Sequence, residues 1–526
     1  MPIEDVARVI ARARAQSLSA MLRRAAERHG GRTAIICGDV MWSYAAFAAE
    51  VERLAAGLRH LGVAPGDRVA ILARNSHAFI ALRFAIARAD AVLVPINFML
   101  TAHDVRYILD HSGTRVLFAD AQTIATAQAS RRAQGQPVEH LFGIDGENSP
   151  APDGLPAWTS LRRETVLPPE VRGGEDLLQI VYTSGTESRP KGAMLSHNSV
   201  LWEYQSCIID CEWTPDTVAL HAMPLFHCAQ LDCMIGPALH VGARNVITGS
   251  PDADNVLNLL SQHRITSFFA PPTVWISLLR APAIAAADLS ALTKGYYGAS
   301  IMPVEVLREM RERLPQLRLW NLYGQTEIAP VATILFPEEH EQRLGSAGRP
   351  TLHVETRIVD DAMQPVATGE IGEIVHRSPQ LLSGYWNDPE KTAEAFAGGW
   401  FHSGDLGTAD AEGYITVVDR KKDMIKTGGE NVASREVEEA LYRHAAISEV
   451  AVIGLPDPKW IEAVTAVIVL RNGHTLAVAE VMDHCAAHLA GFKMPKRVVF
   501  VETLPRNASG KILKRELRQA LLGGGA

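Results

Sequence analysis

The stretch Ile180-Val-Tyr-Thr-Ser-Gly-Thr-Glu-Ser-Arg-Pro-Lys-Gly192 sets the frame for the rest of the chain. An apolar run ends in Thr183-Ser184-Gly185-Thr186, a charged turn follows, and Pro190-Lys191-Gly192 closes the segment. Small residues let backbone N–H groups approach an anion, hydroxyls add donors, and a lysine supplies compensating charge, so a strand that delivers such a loop suits phosphate. The common P-loop is excluded, because it needs G-x4-G-K-[ST], whereas Gly185 and Gly192 stand seven apart and Lys191 precedes the second glycine. A Ser/Thr/Gly surface turn has the same composition. The remaining sequence has to separate the two.

Working outward, short β-branched runs alternate with helical patterns. The periodicity predicts a helix from Ser17 to Gly30, strands over 69–72, 91–95 and 116–119, a helix over 78–88, and another capped at Thr101 with Asp104 three residues on. Residues 121–175, rich in Ala, Gln, Pro and Gly, read as a surface connection. A second α/β pattern runs from Leu177 to about Ile334. Past Leu344, short strands at 354–359, 372–376 and 414–419 predict a β-rich subdomain. A last α/β unit follows Arg420, with a helix after Ser434 and strands at 450–453 and 463–470. Alternating strands and helices imply parallel sheets covered on both faces. The expected fold is therefore α/β: a large N-terminal region, residues 1–419, of two α/β sheet subdomains plus a β-rich subdomain, then a small mobile α+β domain, residues 420–526.

With 526 residues, 47% hydrophobic and 21% charged, the chain is too apolar for a disordered protein. A net charge of −8 gives no basic field, which argues against nucleic acid as the main partner. The most apolar run, 78–100, is broken by Arg83, Arg88 and Asp90 and does not read as a membrane span. The N-terminus carries Glu4 and Asp5 and lacks a secretory core, so the expectation is a reduced, cytoplasmic protein. Six cysteines form no disulfide framework. Cys228 and Cys233 lie near His221 and His227, but the spacing fits no zinc pattern, and buried small hydrophobes are the better reading. Oligomeric state is not legible; a homodimer is left open.

Further motifs decide the matter. Pro224-Leu-Phe-His227, Tyr297-Gly-Ala-Ser300, Asn321-Leu-Tyr-Gly-Gln-Thr-Glu327, Gly384-Tyr-Trp386, Gly399-Trp-Phe-His-Ser-Gly-Asp405, Asp419-Arg-Lys-Lys-Asp-Met-Ile-Lys-Thr-Gly-Gly-Glu-Asn431 and Pro505-Arg-Asn-Ala-Ser-Gly-Lys511 follow one another in order. Together they resemble the AMP-forming acyl-CoA synthetases of the adenylate-forming (ANL) superfamily, from about Leu18 onward. The resemblance implies two half-reactions. A carboxylate first attacks the α-phosphate of ATP and expels pyrophosphate. The CoA thiol then attacks the acyl-adenylate and AMP leaves. ATP and CoA are thus implied as co-substrates and Mg2+ as cofactor.

The same resemblance implies roles. Thr183, Ser184, Gly185, Thr186 and Lys191 would grip pyrophosphate, and Glu327 with Thr186 would hold Mg2+, a hard cation suited to carboxylate and hydroxyl oxygens. Gly298, Ala299, Ser300, Asn321, Leu322, Tyr323, Gly324, Gln325 and Thr326 would wall adenine and the acyl group. Asp405 would accept the ribose hydroxyls, with Arg420 facing the ribose. Lys511 would stabilise charge in adenylation. Lys422 would be the hinge, and Lys426, Gly428 and Gly429 would meet CoA after the small domain swings. The family usually has a second Thr and a Gly where Glu187 and Ser188 stand, so its loop contacts carry over only as far as Thr186.

For the acyl pocket the resemblance points to His227, Cys228, Leu231, Ile235, Gly298 and Ser300; a packed core histidine is the alternative for His227. No Arg or Lys lies between Pro224 and Val241, which leaves a second carboxylate without a partner and disfavours diacids. A medium- or long-chain fatty acid is the first expectation. An aryl-CoA ligase for a cinnamate- or benzoate-like acid, a stand-alone adenylation enzyme loading a carrier in trans, and an inactive nucleotide-binding protein are the alternatives.

Overall fold

The structure of the protein, a computed structural model, describes residues 6, 9–10, 13–14, 16–131, 138–168, 173–183, 190–300, 302–471, 473–506 and 512–523. The apolar run near residue 80 sits at its centre. Helix His77–Arg88 starts at Ser76, whose Oγ accepts the Phe79 N–H at 3.2 Å, and every residue in it is buried. A helix apolar all round needs cover all round. Its core cluster joins Ala34, Ile35 and Cys37 of one large sheet to Val69, Ile71 and Leu93 of another. The run is thus an interior helix and its following strand, and no helix among the described residues is long and apolar enough to cross a membrane.

Seven strands form one sheet in the order Gly384–Tyr385, Lys191–Ser196, Leu177–Thr183, Val92–Ile96, Arg68–Leu72, Thr114–Ala119, His140–Gly143. Nine form the other, in the order Arg349–Pro350, Val331–Leu335, Arg318–Gly324, Lys294–Gly298, Ser267–Phe269, Val218–His221, Arg244–Ile247, Thr33–Cys37, Val40–Ser43. The inner strands pair in parallel, as the alternation of strands and helices predicts.

The two sheet units are interleaved along the chain rather than consecutive. The strands around residue 180 complete the first sheet, and the hairpin Thr33–Ser43 extends the second. The expected connection at 121–175 also holds structure: helix Ile124–Ser130 and strand His140–Gly143, which closes a sheet edge. Trp158 is buried there and its Nε1 donates to Asp145 at 2.9 Å. Such short elements draw their order from long-range pairing, so local periodicity does not reveal them.

A four-stranded antiparallel sheet, Glu355–Val359, Gly372–Arg377, Phe401–Ala409 and Ile415–Arg420, is the predicted β-rich part. The last sheet is built on Ile447–Asp457 and Ile461–Leu470, with Arg497–Phe500 alongside in parallel. Asp419 joins the two, accepting the Ser434 N–H and Oγ–H at 2.6 and 2.7 Å, while Arg435 donates to the carbonyls of Val417 and Gly345. All six cysteines are free and buried, as their apolar character predicts.

Candidate functional site

Strands of both large sheets and of the four-stranded sheet end on one cleft of about 950 Å³. In open α/β sheets such a crevice beyond the carboxyl ends of the strands is where ligands lie. Strand Leu177–Thr183 brings Thr183 to the wall, antiparallel pairing sets Lys191 beside it, and both line the cleft. Ser184, Gly185 and Thr186 lie outside the described residues, as do Glu187, Ser188 and Lys511.

From the other large sheet, strand Arg318–Gly324 leads Leu322 through Glu327 along the cleft. Gly324 is required there, since a side chain would begin 1.9 Å from the Pro330 carbonyl oxygen. The chain then turns through Thr326–Ile328, leaving Glu327 only 8% exposed. Burial pushes the Glu327 carboxyl above the ordinary carboxylate range, against the Tyr385 hydrogen bond and the Arg420 and Lys191 charges. Lys191 Nζ lies 5.4 Å from the centre of the Tyr385 ring, so tyrosine, lysine and carboxylate form one group.

Asp405 and Arg420 are cross-strand partners in the four-stranded sheet. Arg420 Nε meets Asp405 Oδ1 at 3.0 Å and the Tyr323 hydroxyl donates to Oδ2 at 2.7 Å. Asp405 is 5% exposed and is not itself on the cleft lining, but the Tyr323 and Arg420 that hold it are. Burial works against the Arg420 charge, but Asp405, Tyr323 and Glu327 hold it above its ordinary value.

The expected adenine wall divides. Ala299, at φ +63, lines the cleft. Gly298 does not: a side chain there would meet the Leu322 carbonyl oxygen at 2.3 Å, so its smallness serves the packing of adjacent strands rather than room for a flat ring. Asn321 turns away and donates to the Ser346 carbonyl at 2.8 Å. Ser300 is not on the lining surface.

The acyl side divides in the same way. His227 lines the cleft; its Nδ1 accepts the Ala229 N–H at 3.2 Å, which leaves the ring proton on Nε2. Cys228 is fully buried, 3.3 Å from Thr326 Oγ1. Leu231 and Ile235 belong to the main core and are not among the residues that line the cleft. Segment Ala229–Ile235 is a π-helix, whose wider turn presents Ala229 and Cys233 to the cleft instead. Phe226, Phe269, Pro330 and Val331 complete the apolar lining.

Asp232, on the same π-helix, does have an arginine, brought from helix His77–Arg88. Arg83 Nη2 meets its Oδ1 at 2.5 Å, and Gln179 donates to Oδ2 at 2.7 Å. Burial opposes the Arg83 charge, but Asp232 more than compensates. The local absence of basic residues therefore misses this cation, yet the cation is already engaged. His221 bridges Asn245 and Gln230, and burial lowers its pKa to about 4, so it is neutral and held in the core.

Lys422 borders the cleft, and burial followed by the Arg420 charge lowers its pKa. Lys426, Gly428 and Gly429 lie away from the cleft on an exposed hairpin, Ile425–Thr427 with Glu430–Val432. Gly428 and Gly429 form its two-residue turn at φ +60 and +89, a conformation that favours glycine at both positions. Sequence reasoning left Tyr385, Ser403 and Lys421 out of the site. Tyr385 could have been found from its motif, Gly384-Tyr-Trp386.

The family model described as AMP-binding enzyme matches residues 22–386, and that described as AMP-binding enzyme C-terminal domain matches 436–511. The chain is 38% identical over 509 residues to a feruloyl-CoA synthase of an Amycolatopsis species, covering 96% of this chain and 99% of that protein. It is 36% identical over 482 residues to the long-chain-fatty-acid–CoA ligase FadD13 of Mycobacterium tuberculosis, covering 91% and 93%. Among solved structures, the anthranilate CoA ligase AuaEII in complex with anthranoyl-AMP superposes with a TM-score of 0.90 at 27% identity, covering 97% and 98%.

Proposed function

Since the chain belongs to the AMP-binding enzyme family, as an AMP-forming acid–thiol ligase of the adenylate-forming superfamily, we propose that its acid is aromatic or aryl-substituted rather than a long-chain fatty acid. This reverses the order of expectation drawn from sequence. One observation carries it: Leu231 and Ile235, expected in the acyl pocket, sit in the core and leave the lining to other residues. What remains at that end is a wall of Phe226, Phe269, Ala229 and Cys233, which suits a compact flat acid. The likeness to a feruloyl-CoA synthase supports the same reading.

In this proposal Thr183, Ser184, Gly185, Thr186 and Lys191 take the phosphates, Arg420 and Tyr323 orient Asp405 toward the ribose, and His227 closes the acid end. Glu327 fits a Mg2+ ligand, because a buried oxygen donor that resists ionisation gains most from a divalent cation beside it. Thr186 would be its neighbour, and the ion when bound neutralises phosphate charge. Lys511 would balance charge on the reacting carboxylate and phosphate. Residues 1–419 and 420–526 would be two bodies turning at Lys422. The exposed position of Lys426, Gly428 and Gly429, away from the cleft, supports this.

The test is ATP–pyrophosphate exchange over a panel of hydroxycinnamic, arylacetic, benzoic and C8–C18 fatty acids, with AMP and thioester measured when CoA is added. The expected result is the highest kcat/KM with an aromatic acid and AMP matching thioester. A C12–C18 acid ahead by tenfold overturns the acid assignment. Exchange without CoA consumption points to carrier loading in trans.

A further inference from the structure

Behind the acyl wall lies a group of soft donors that adenylation does not use. Glu203 and Cys207 stand one turn apart on helix His197–Asp210, and Cys211 follows on the same face. Cys233 reaches them from the facing π-helix. Cys207 Sγ lies 3.8 Å from Cys233 Sγ and 3.8 Å from Glu203 Oε1, and one ligand atom of each of the three residues lies within 4.8 Å of the others. All three residues are buried, at 1% exposure or less, and Glu203 Oε2 has no hydrogen-bond partner among the described residues.

We propose that Glu203, Cys207 and Cys233 form a binding site for a thiophilic divalent cation, zinc by its donor set and spacing. Zinc–thiolate bonds of about 2.3 Å in tetrahedral geometry set a sulfur–sulfur edge of about 3.8 Å, which is the separation found here. Two sulfurs and a carboxylate oxygen favour zinc over magnesium or calcium, which prefer all-oxygen shells. The orphaned Oε2 supplies an independent reason. A carboxyl with an unpaired oxygen in an apolar core is costly until a partner meets that oxygen.

As apoprotein the site holds protons. Burial raises the Glu203 carboxyl far above its ordinary range, helped by Asp232, and burial pushes the Cys233 thiol up to about 12. One Zn2+ therefore displaces the two thiol protons of Cys207 and Cys233 and the carboxyl proton of Glu203, leaving the group with one net negative charge. Cys233 also borders the cleft, so an ion held there would sit directly behind the acyl wall.

The test uses chelator-treated, thiol-reduced full-length enzyme with excess Mg2+ to occupy oxygen sites. Cd2+ is titrated first as a spectroscopic probe, then displaced with Zn2+. The expected result is one Cd2+ per chain with sulfur-to-cadmium charge-transfer absorption in the ultraviolet. That absorption falls by about half in Cys233→Ser, and Glu203→Gln weakens binding at least tenfold while keeping the band. Circular dichroism checks that the variants fold. Proton release on adding Zn2+ to the unaltered enzyme gives a measure that needs no variant: two or three per ion supports the site, one or none overturns it. Absence of stoichiometric Cd2+ binding, or a band unchanged in both Cys207→Ser and Cys233→Ser, also overturns it.

Discussion

The Tyr385 hydroxyl donates to Glu327 Oε1 across 3.1 Å, tying edge strand Gly384–Tyr385 of one large sheet to the turn Thr326–Ile328 that follows a strand of the other. A hydrogen bond to a buried carboxylate is worth about 1.5–3 kcal/mol. Tyr385→Phe should slow adenylation by about tenfold or more. With its donor gone, the Glu327 carboxyl rises further, so the acidic limb of the Mg2+-dependent rate should move to higher pH. A pyrophosphate-exchange pH profile measures both. An unchanged rate and limb would remove Tyr385 from the site.

Glu327 also bears on stability. Its folded pKa lies above the unfolded value, chiefly through burial, so the stability it contributes is present below the unfolded value and lost as pH rises through the folded one. Without nucleotide or Mg2+, Glu327→Gln should melt above the natural protein at neutral and higher pH, with the gap closing as pH falls through the carboxylate range. The same substitution should cut adenylation by about 100-fold or more. Melting curves across pH, with equal Tm throughout as the contrary result, decide it.

Asp405 holds the Tyr323 hydroxyl at 2.7 Å and Arg420 at 3.0 Å. Asp405→Ala should raise the KM for ATP by about tenfold or more while leaving the KM for the acid nearly unchanged. Steady-state kinetics with each substrate varied in turn would show the split. An equal rise in both would mean general disruption of the cleft.

The two lysines assigned to different half-reactions should separate. Lys511→Ala should slow adenylation by about 100-fold or more. Lys426→Ala should impair thioester formation more than adenylation, because it stands outside the cleft as described. Pyrophosphate exchange and thioester yield, measured separately, report on each. Parallel losses in both assays for Lys426→Ala would count against a swinging small domain.

Arg83 and Asp232, 1% and 0% exposed at their side chains, are a pair that breaks badly from one side. Arg83→Met strands a buried carboxylate and should cost about 3–5 kcal/mol, whereas Arg83→Met with Asp232→Leu should recover much of the loss. Denaturant unfolding of the single and double variants measures the difference. A single-variant loss under about 1 kcal/mol would mean that water reaches the pair.

Much was readable along the chain, for a physical reason. Ser17 and Thr101 mark helix starts, and the inner strands are β-branched and apolar; each depends on neighbours a few residues apart. The family motifs, from Thr183 to Lys511, are local for the same reason. Tertiary structure alone decided how the two sheets interleave, that Gly298 serves strand packing, and that Arg83 reaches Asp232 across 149 residues. It also decided that a π-helix turns Ala229 and Cys233, not Leu231 and Ile235, toward the cleft. Those outcomes depend on which distant surfaces bury one another, a choice made by the free energy of the whole packed core and by no single stretch of residues.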